Sequence, residues 1–150
     1  MLKIINAEFD DILNGLRKAG HRITKARSAI LLTLISAGKP LTAAQILADA
    51  RVRAASREKT TVYRELDFLV AEKLAHTIDL QDGKRRFEIT HRGEHHHHLV
   101  CTKCETVTCV ELPKHLHDIE AALGKKHHFL ITSHSLEFFG LCKSCQVIHA

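Results

Sequence analysis

The stretch Thr60–Thr90, TTVYRELDFLVAEKLAHTIDLQDGKRRFEIT, passes from a helical to a strand-like pattern, and that passage decides the fold. Val62, Leu66, Leu69 and Val70 recur at the spacing of one helix face, and Thr60 or Thr61 opens the helix. LAHTIDL and KRRFEIT then read as two short strands around Gln81-Asp82-Gly83, where Asp-Gly marks a hairpin turn. Upstream, FDDILNGLRKAG puts Phe9, Ile12, Leu13 and Leu16 on one face and stops at Gly20. Thr24 caps KARSAILLTLISAG, with Ile30, Leu31, Leu34 and Ile35 inward and Gly38 and Pro40 as its end, and Thr42 caps a third helix, AAQILADARV. Three or four short helices followed by a hairpin give the order of a winged helix-turn-helix domain, whose later helix lies in the DNA major groove.

On that reading the groove helix begins at Thr60, and its first exposed positions are Thr60, Thr61, Tyr63 and Arg64. Arg64 can fork to guanine O6 and N7, Tyr63 can meet a thymine methyl or a phosphate, and the threonines suit phosphate at the positive helix end. Arg57, Lys59, Arg17, Lys18, Arg22, Lys25 and Arg27 supply attraction to the DNA backbone. Any one Lys or Arg is more often a solvated surface charge. Element order, basic charge and an aromatic beside an arginine at a helix start together point to DNA.

Charge divides the chain in the same way. Residues 1–90 hold 16 Lys/Arg against 11 Asp/Glu, whereas residues 91–150 hold 6 of each, with all five cysteines and eleven of the thirteen histidines. A basic half suits a polyanion and a neutral His/Cys half suits metal, so the expected domains are 1–90, winged-helix, and 91–150, metal-binding. With 45% hydrophobic residues over 150 positions the chain can bury a core, and no run of eighteen apolar residues suggests a membrane span. The acidic start MLKIINAEFDDIL lacks a secretory h-region, so the expected location is the cytoplasm, where cysteines serve metal or redox roles rather than disulfides.

EHHHHLVCTKC, Glu94–Cys104, concentrates the metal question. Cys101-x-x-Cys104 and Cys142-x-x-Cys145 together satisfy a tetrahedral zinc in a closed structural site, and the flanks lack the βαβ context of a redox pair. If a strand starts here, alternation sends His95 and His97 to one face and His96 and His98 to the other. His117, on the helix PKHLHDIEAALGKK, and His134, in the strand-like FLITSHSLEFF, are available to the odd pair, and His76, Glu88, His91 and Cys109 to the even pair.

TVYRELDFL, HHHHLVCTKC, HSLEFFGLCKSC and the order between them resemble the ferric uptake regulator (Fur) family of bacterial metal-sensing repressors, from about Leu13 to Cys145. The resemblance implies an α+β chain: an N-terminal winged helix-turn-helix DNA-binding domain followed by a small α/β dimerisation domain. It also implies a homodimer that binds palindromic AT-rich operators when metal-loaded. Cys101, Cys104, Cys142 and Cys145 match the family's structural zinc cysteines. His96 and His98 match its hinge regulatory site, Glu88 a carboxylate often found there, and Cys109 a place where Asp or Glu is common. His95, His97, His117 and His134 match a further metal site in the dimerisation domain, where two positions are more usually Asp and Glu. Tyr63 and Arg64 match the base-contacting pair, and Lys18 a basic residue near the minor groove.

Lys39-Pro40 stands where many iron-sensing members carry a hinge histidine. His76 falls where zinc-sensing members can supply a ligand, and His91 near where several place a hinge cysteine. A hinge of His76, His91, His96, His98 and Cys109 is rich in nitrogen and sulfur, which favours Zn2+ over Fe2+ or Mn2+ and so the zinc-uptake branch over the iron-responsive or peroxide-sensing ones. A metalloenzyme or a zinc storage protein are the readings from other classes. No HExxH and no general base outside the ligand set speak for an enzyme, which leaves no small-molecule substrate, and storage would make the basic half superfluous.

Overall fold

The computed structural model of the chain describes residues 2–56, 58–79, 83–90, 97–111, 115–132, 134 and 136–147. Arg57, the Gln81-Asp82 turn, His91, His95 and His96 lie outside the described residues. Contacts gather into two units, Met1–Arg92 and Gly93–Ala150.

In the first unit, α1 (Leu2–Lys18) starts seven residues before the predicted Phe9, because Ile5 extends the stripe of Phe9, Ile12, Leu13 and Leu16 that packs on the core. α2 (Lys25–Ala37) is capped by the Thr24 hydroxyl, which accepts from the Arg27 N–H, and ends at Gly38 with φ 55°. Leu41–Thr42 form a two-residue strand, β1, that sequence pattern did not suggest. The predicted third helix is two: α3 (Ala43–Ala48) and α4 (Ala50–Ala55) meet at Asp49, whose extended backbone ends one and whose carboxylate caps the other. α5 (Lys59–Ala71) starts after Glu58, which makes no side-chain cap bond, so neither Thr60 nor Thr61 is the cap.

β2 (Ala75–Asp79) and β3 (Arg85–Ile89) pair antiparallel, and β1 joins the other edge of β3 to give the order β1-β3-β2. Phe87, at the centre of β3, is fully buried with Ile30, Leu31, Ile46, Val52, Val62, Leu66 and Leu69, which seats the wing and α5 on one core. Removing that ring by Phe87→Ala would cost about 3–5 kcal/mol.

In the second unit, β4 (His97–Cys101) is central, antiparallel to β5 (Val107–Val110) and parallel to β6 (Glu137–Gly140). The parallel pair needs a crossover, which α6 (His115–His127) supplies, and α7 (Lys143–Gln146) follows β6. His134 precedes β6 rather than lying in a strand, since only Glu137–Gly140 reach the edge of β4.

Candidate metal centres and nucleic-acid interface

The four CxxC cysteines converge. Cys101 ends β4, and a turn with Glu105 in the left-handed region (φ 57°) swings Cys104 back beside it, held by the Cys101 N–H to Thr106 carbonyl bond of 2.9 Å. Cys142 is the N-cap of α7, Cys145 sits in that helix, and the Thr102 N–H donates to the Gly140 carbonyl at 2.8 Å, joining the ends of β4 and β6. All four Sγ atoms lie within 4.8 Å of one another, and Cys104 Sγ is 3.6 Å from Cys142 Sγ. A tetrahedral zinc with Zn–S near 2.3 Å sets sulfurs about 3.8 Å apart, so the donor set fits. Backbone N–H groups, that of Cys142 first, pull the Cys101 thiol down to about 6, Thr106 lowers Cys104, and burial pushes Cys145 up to about 12. Metal binding to this set therefore releases protons.

His97 and His98 serve opposite faces of β4. His98 stands directly across from Cys109 on β5, whereas His97 stacks on His134 with centroids 5.4 Å apart and contacts the Leu136 carbonyl through Nδ1 at 3.3 Å. From there the polar groups form a chain: His134 Nδ1 lies 2.6 Å from Glu120 Oε1, and His117 Nδ1 lies 3.2 Å from Glu120 Oε2. Because a carbonyl and a carboxylate only accept, each imidazole donates from Nδ1 in these contacts. Glu120, its carboxyl lowered first by the His134 bond, is the residue that sequence reasoning missed. Its position three residues after His117 on one helix was the available signal.

In the first unit, His76 on β2 faces Glu88 on β3, with Nε2 3.6 Å from Oε2, and its Nδ1 lies 3.4 Å from the Thr90 hydroxyl. On α5, Thr60, Tyr63 and Arg64 are exposed and Thr61 is half-buried; Lys18 is exposed in the last turn of α1. Arg27 does not belong to this exposed set. It is buried, its Nε 2.8 Å from Glu65 Oε2, so a phosphate cannot displace that partner cheaply.

Residues 18–139 match the family profile described as Ferric uptake regulator family. The chain belongs to that family. Its members are metal-responsive transcriptional regulators, and the fold is theirs: a winged helix-turn-helix DNA-binding domain followed by a small α/β dimerisation domain. The peroxide-responsive repressor PerR of Staphylococcus epidermidis is 30% identical over 146 residues, covering 97% of this chain and 95% of that protein. The Helicobacter pylori regulator Fur, whose structure is described as revealing three functional metal binding sites, is 25% identical with TM-score 0.76, over 95% of this chain and 93% of that one. Holo XcZur is 28% identical with TM-score 0.62, over 95% and 99%. Among the described residues no helix of this Fur-family chain is long and apolar enough to cross a membrane.

Proposed function

We propose that this Fur-family chain is a zinc-responsive repressor that binds palindromic operator DNA as a homodimer and controls metal-uptake genes. The pair His98–Cys109 carries the choice of metal. A cysteine sulfur standing across the ladder from an imidazole offers a donor set for borderline-soft zinc, whereas a carboxylate-rich oxygen set would suit iron or manganese. In this reading His76, Glu88, His91, His96, His98 and Cys109 supply the regulatory site, and Cys101, Cys104, Cys142 and Cys145 hold a structural zinc. His95, His97, His117 and His134, with Glu120, supply a further site in the dimerisation domain.

Tyr63 and Arg64 read base edges from α5, Thr60 and Thr61 bind phosphate at its start, and Lys18 and Arg57 add backbone attraction. The exposed apolar side chains Leu99, Phe138 and Phe139 on the second sheet, with Ile119 and Leu123 on α6, support self-association. Metal at the regulatory site favours the DNA-competent arrangement, so by linkage DNA tightens the metal.

The test is operator affinity, read by fluorescence anisotropy, with zinc, iron(II) and manganese(II) each at buffered free concentration. Zinc is expected to tighten binding on the order of 10–100-fold, and His96→Ala with His98→Ala to abolish that gain. A response to iron alone, lost on peroxide treatment, would instead make the chain an iron- or peroxide-responsive member. Metal-dependent affinity that survives the double substitution would remove both histidines from the regulatory site.

A further inference from the structure

Arg27 is the only buried charged side chain of α2, and its contacts converge on one stripe of α5. Besides the bond from Nε to Glu65 Oε2 at 2.8 Å, its guanidinium donates to the Arg22 carbonyl at 2.6 Å and lies 3.6 Å from the centroid of the Phe68 ring. His21 meets the same ring edge-on at 5.0 Å, and its Nε2 is 3.2 Å from Glu72 Oε2. Glu65, Phe68 and Glu72 stand at i, i+3 and i+7, so they share one face of α5. The segment between α1 and α2, with the first turn of α2, thus grips a single stripe of the helix. Tyr63 and Arg64 precede Glu65 directly, and both are exposed.

We infer that Arg27 is a positioning residue for base recognition: through Glu65 and Phe68 it fixes the rotation and axial placement of α5, without touching DNA itself. The inference rests on α5 being the groove helix, as proposed above. Bidentate readout of a base tolerates little angular error, and a small rotation of α5 about its axis sweeps the long Arg64 side chain across the base edges. Only a planar fork can hold a carboxylate and a carbonyl while stacking on a ring, so lysine is no substitute for Arg27.

The experiment compares a duplex selected from a random library by the wild-type protein, with whichever of zinc, iron or manganese supports selection, and a shuffled duplex of the same composition. Arg27→Lys and the charge-neutral double variant Arg27→Met/Glu65→Met are measured on both duplexes across a salt series. The double variant removes both charges together, which spares the fold the orphaned carboxylate left by a single change. The expected result is a fall of tenfold or more in the ratio of selected to shuffled affinity in both variants, with the affinity and salt slope on the shuffled duplex unchanged. An unchanged ratio overturns the inference. So does an equal loss on both duplexes with the salt slope reduced by about one, which would make Arg27 a phosphate contact. An equal loss with unchanged slope, accompanied by a lowered Tm, would mean a purely structural role and would overturn it too. If the wild type selects no duplex with any metal, the reading of α5 as a groove helix fails first and the inference with it.

Discussion

Asp49 ends α3 with its extended backbone and starts α4 with its carboxylate. It accepts from the Arg51 N–H at 2.8 Å, from Arg51 Nε at 3.0 Å and from a second guanidinium nitrogen at 2.8 Å, while Arg51 also reaches the Ser36 hydroxyl at 3.2 Å. The Arg51 side-chain bond, first among the causes, holds the carboxyl at about 2 rather than 3.8. A depressed folded-state value stabilises above the unfolded value and loses that effect as pH falls from about 3.8 through about 2. Arg51 is 42% exposed, so solvent screens much of the pairing. Asp49→Ala is expected to cost about 1 kcal/mol near neutral pH, mostly through the lost cap, and the gap to wild type should narrow below pH 3 in urea melts. In the second unit, Glu120→Ala is expected to weaken metal binding at the site proposed for the dimerisation domain about 10–100-fold, because both His117 and His134 lose this acceptor at Nδ1. An unchanged titration of that site, measured in a protein whose structural zinc is already in place, would leave Glu120 as a surface acid. Arg27 and Glu120 were both invisible to pattern reading for the same reason. Each looks like a solvated charge until a partner distant in sequence, Glu65 or His134, is placed beside it.

Helix ends carry the connections between elements. After α1, Gly20 (φ 82°) is followed by the His21 N–H to Leu16 carbonyl bond. After α5, Lys73 (φ 58°) is followed by Leu74 N–H to Leu69 carbonyl; after α6, His128 (φ 51°) by Phe129 N–H to Gly124 carbonyl. All three are the same left-handed closure, and two of them place a side chain where glycine is favoured. Lys73→Gly is therefore expected to stabilise the fold by about 0.5–1 kcal/mol, and Gly20→Ala to destabilise it by a similar amount, both read as shifts in Tm. A Lys73→Gly variant that melts lower would show that the Lys73 side chain contributes more than its backbone strain costs. Threonine caps and glycine stops made α2 and the start of α3 legible, since Thr24, Thr42 and Gly38 act locally. The break at Asp49 was not, because AAQILADARV keeps a helical apolar spacing through it. The two-residue β1 exists only because β3 offers a free edge at Phe87. Strand pairing is long-range, and the strand-like stretch FLITSHSLEFF, residues 129–139, gave no hint that only Glu137–Gly140 would meet β4.

The two units are stabilised differently. Every buried member of the main apolar cluster belongs to residues 13–89. Among the described residues of the second unit, the buried apolar side chains are Val100, Cys101, Val107 and Cys145, two of them members of the four-cysteine cluster. Phe129 and Leu130 are 70% and 85% exposed, with Phe138 and Phe139 also open to solvent. With so few apolar side chains buried among the described residues, metal binding and self-association, as proposed above, are expected to contribute much of that unit's stability. The first unit, with the apolar cluster to itself, is expected to need neither. Chelation strong enough to strip four thiolates, or Cys142→Ser, is therefore expected to split the melt. The second unit should lose its strand signal and the protein the dimer proposed above, while the helical signal of the first unit persists to a transition of its own. Circular dichroism melts, zinc content and sedimentation velocity on the same samples check this. By mass action, raising protomer concentration should recover part of the lost stability in the chelated wild type, because association binds only the folded form. A single cooperative melt that drops as a whole on zinc removal would mean that the first unit's core is not self-sufficient. A zinc-free Cys142→Ser protein that remained a dimer with its second unit folded would mean that apolar contact between protomers, rather than the four thiolates, holds that unit together.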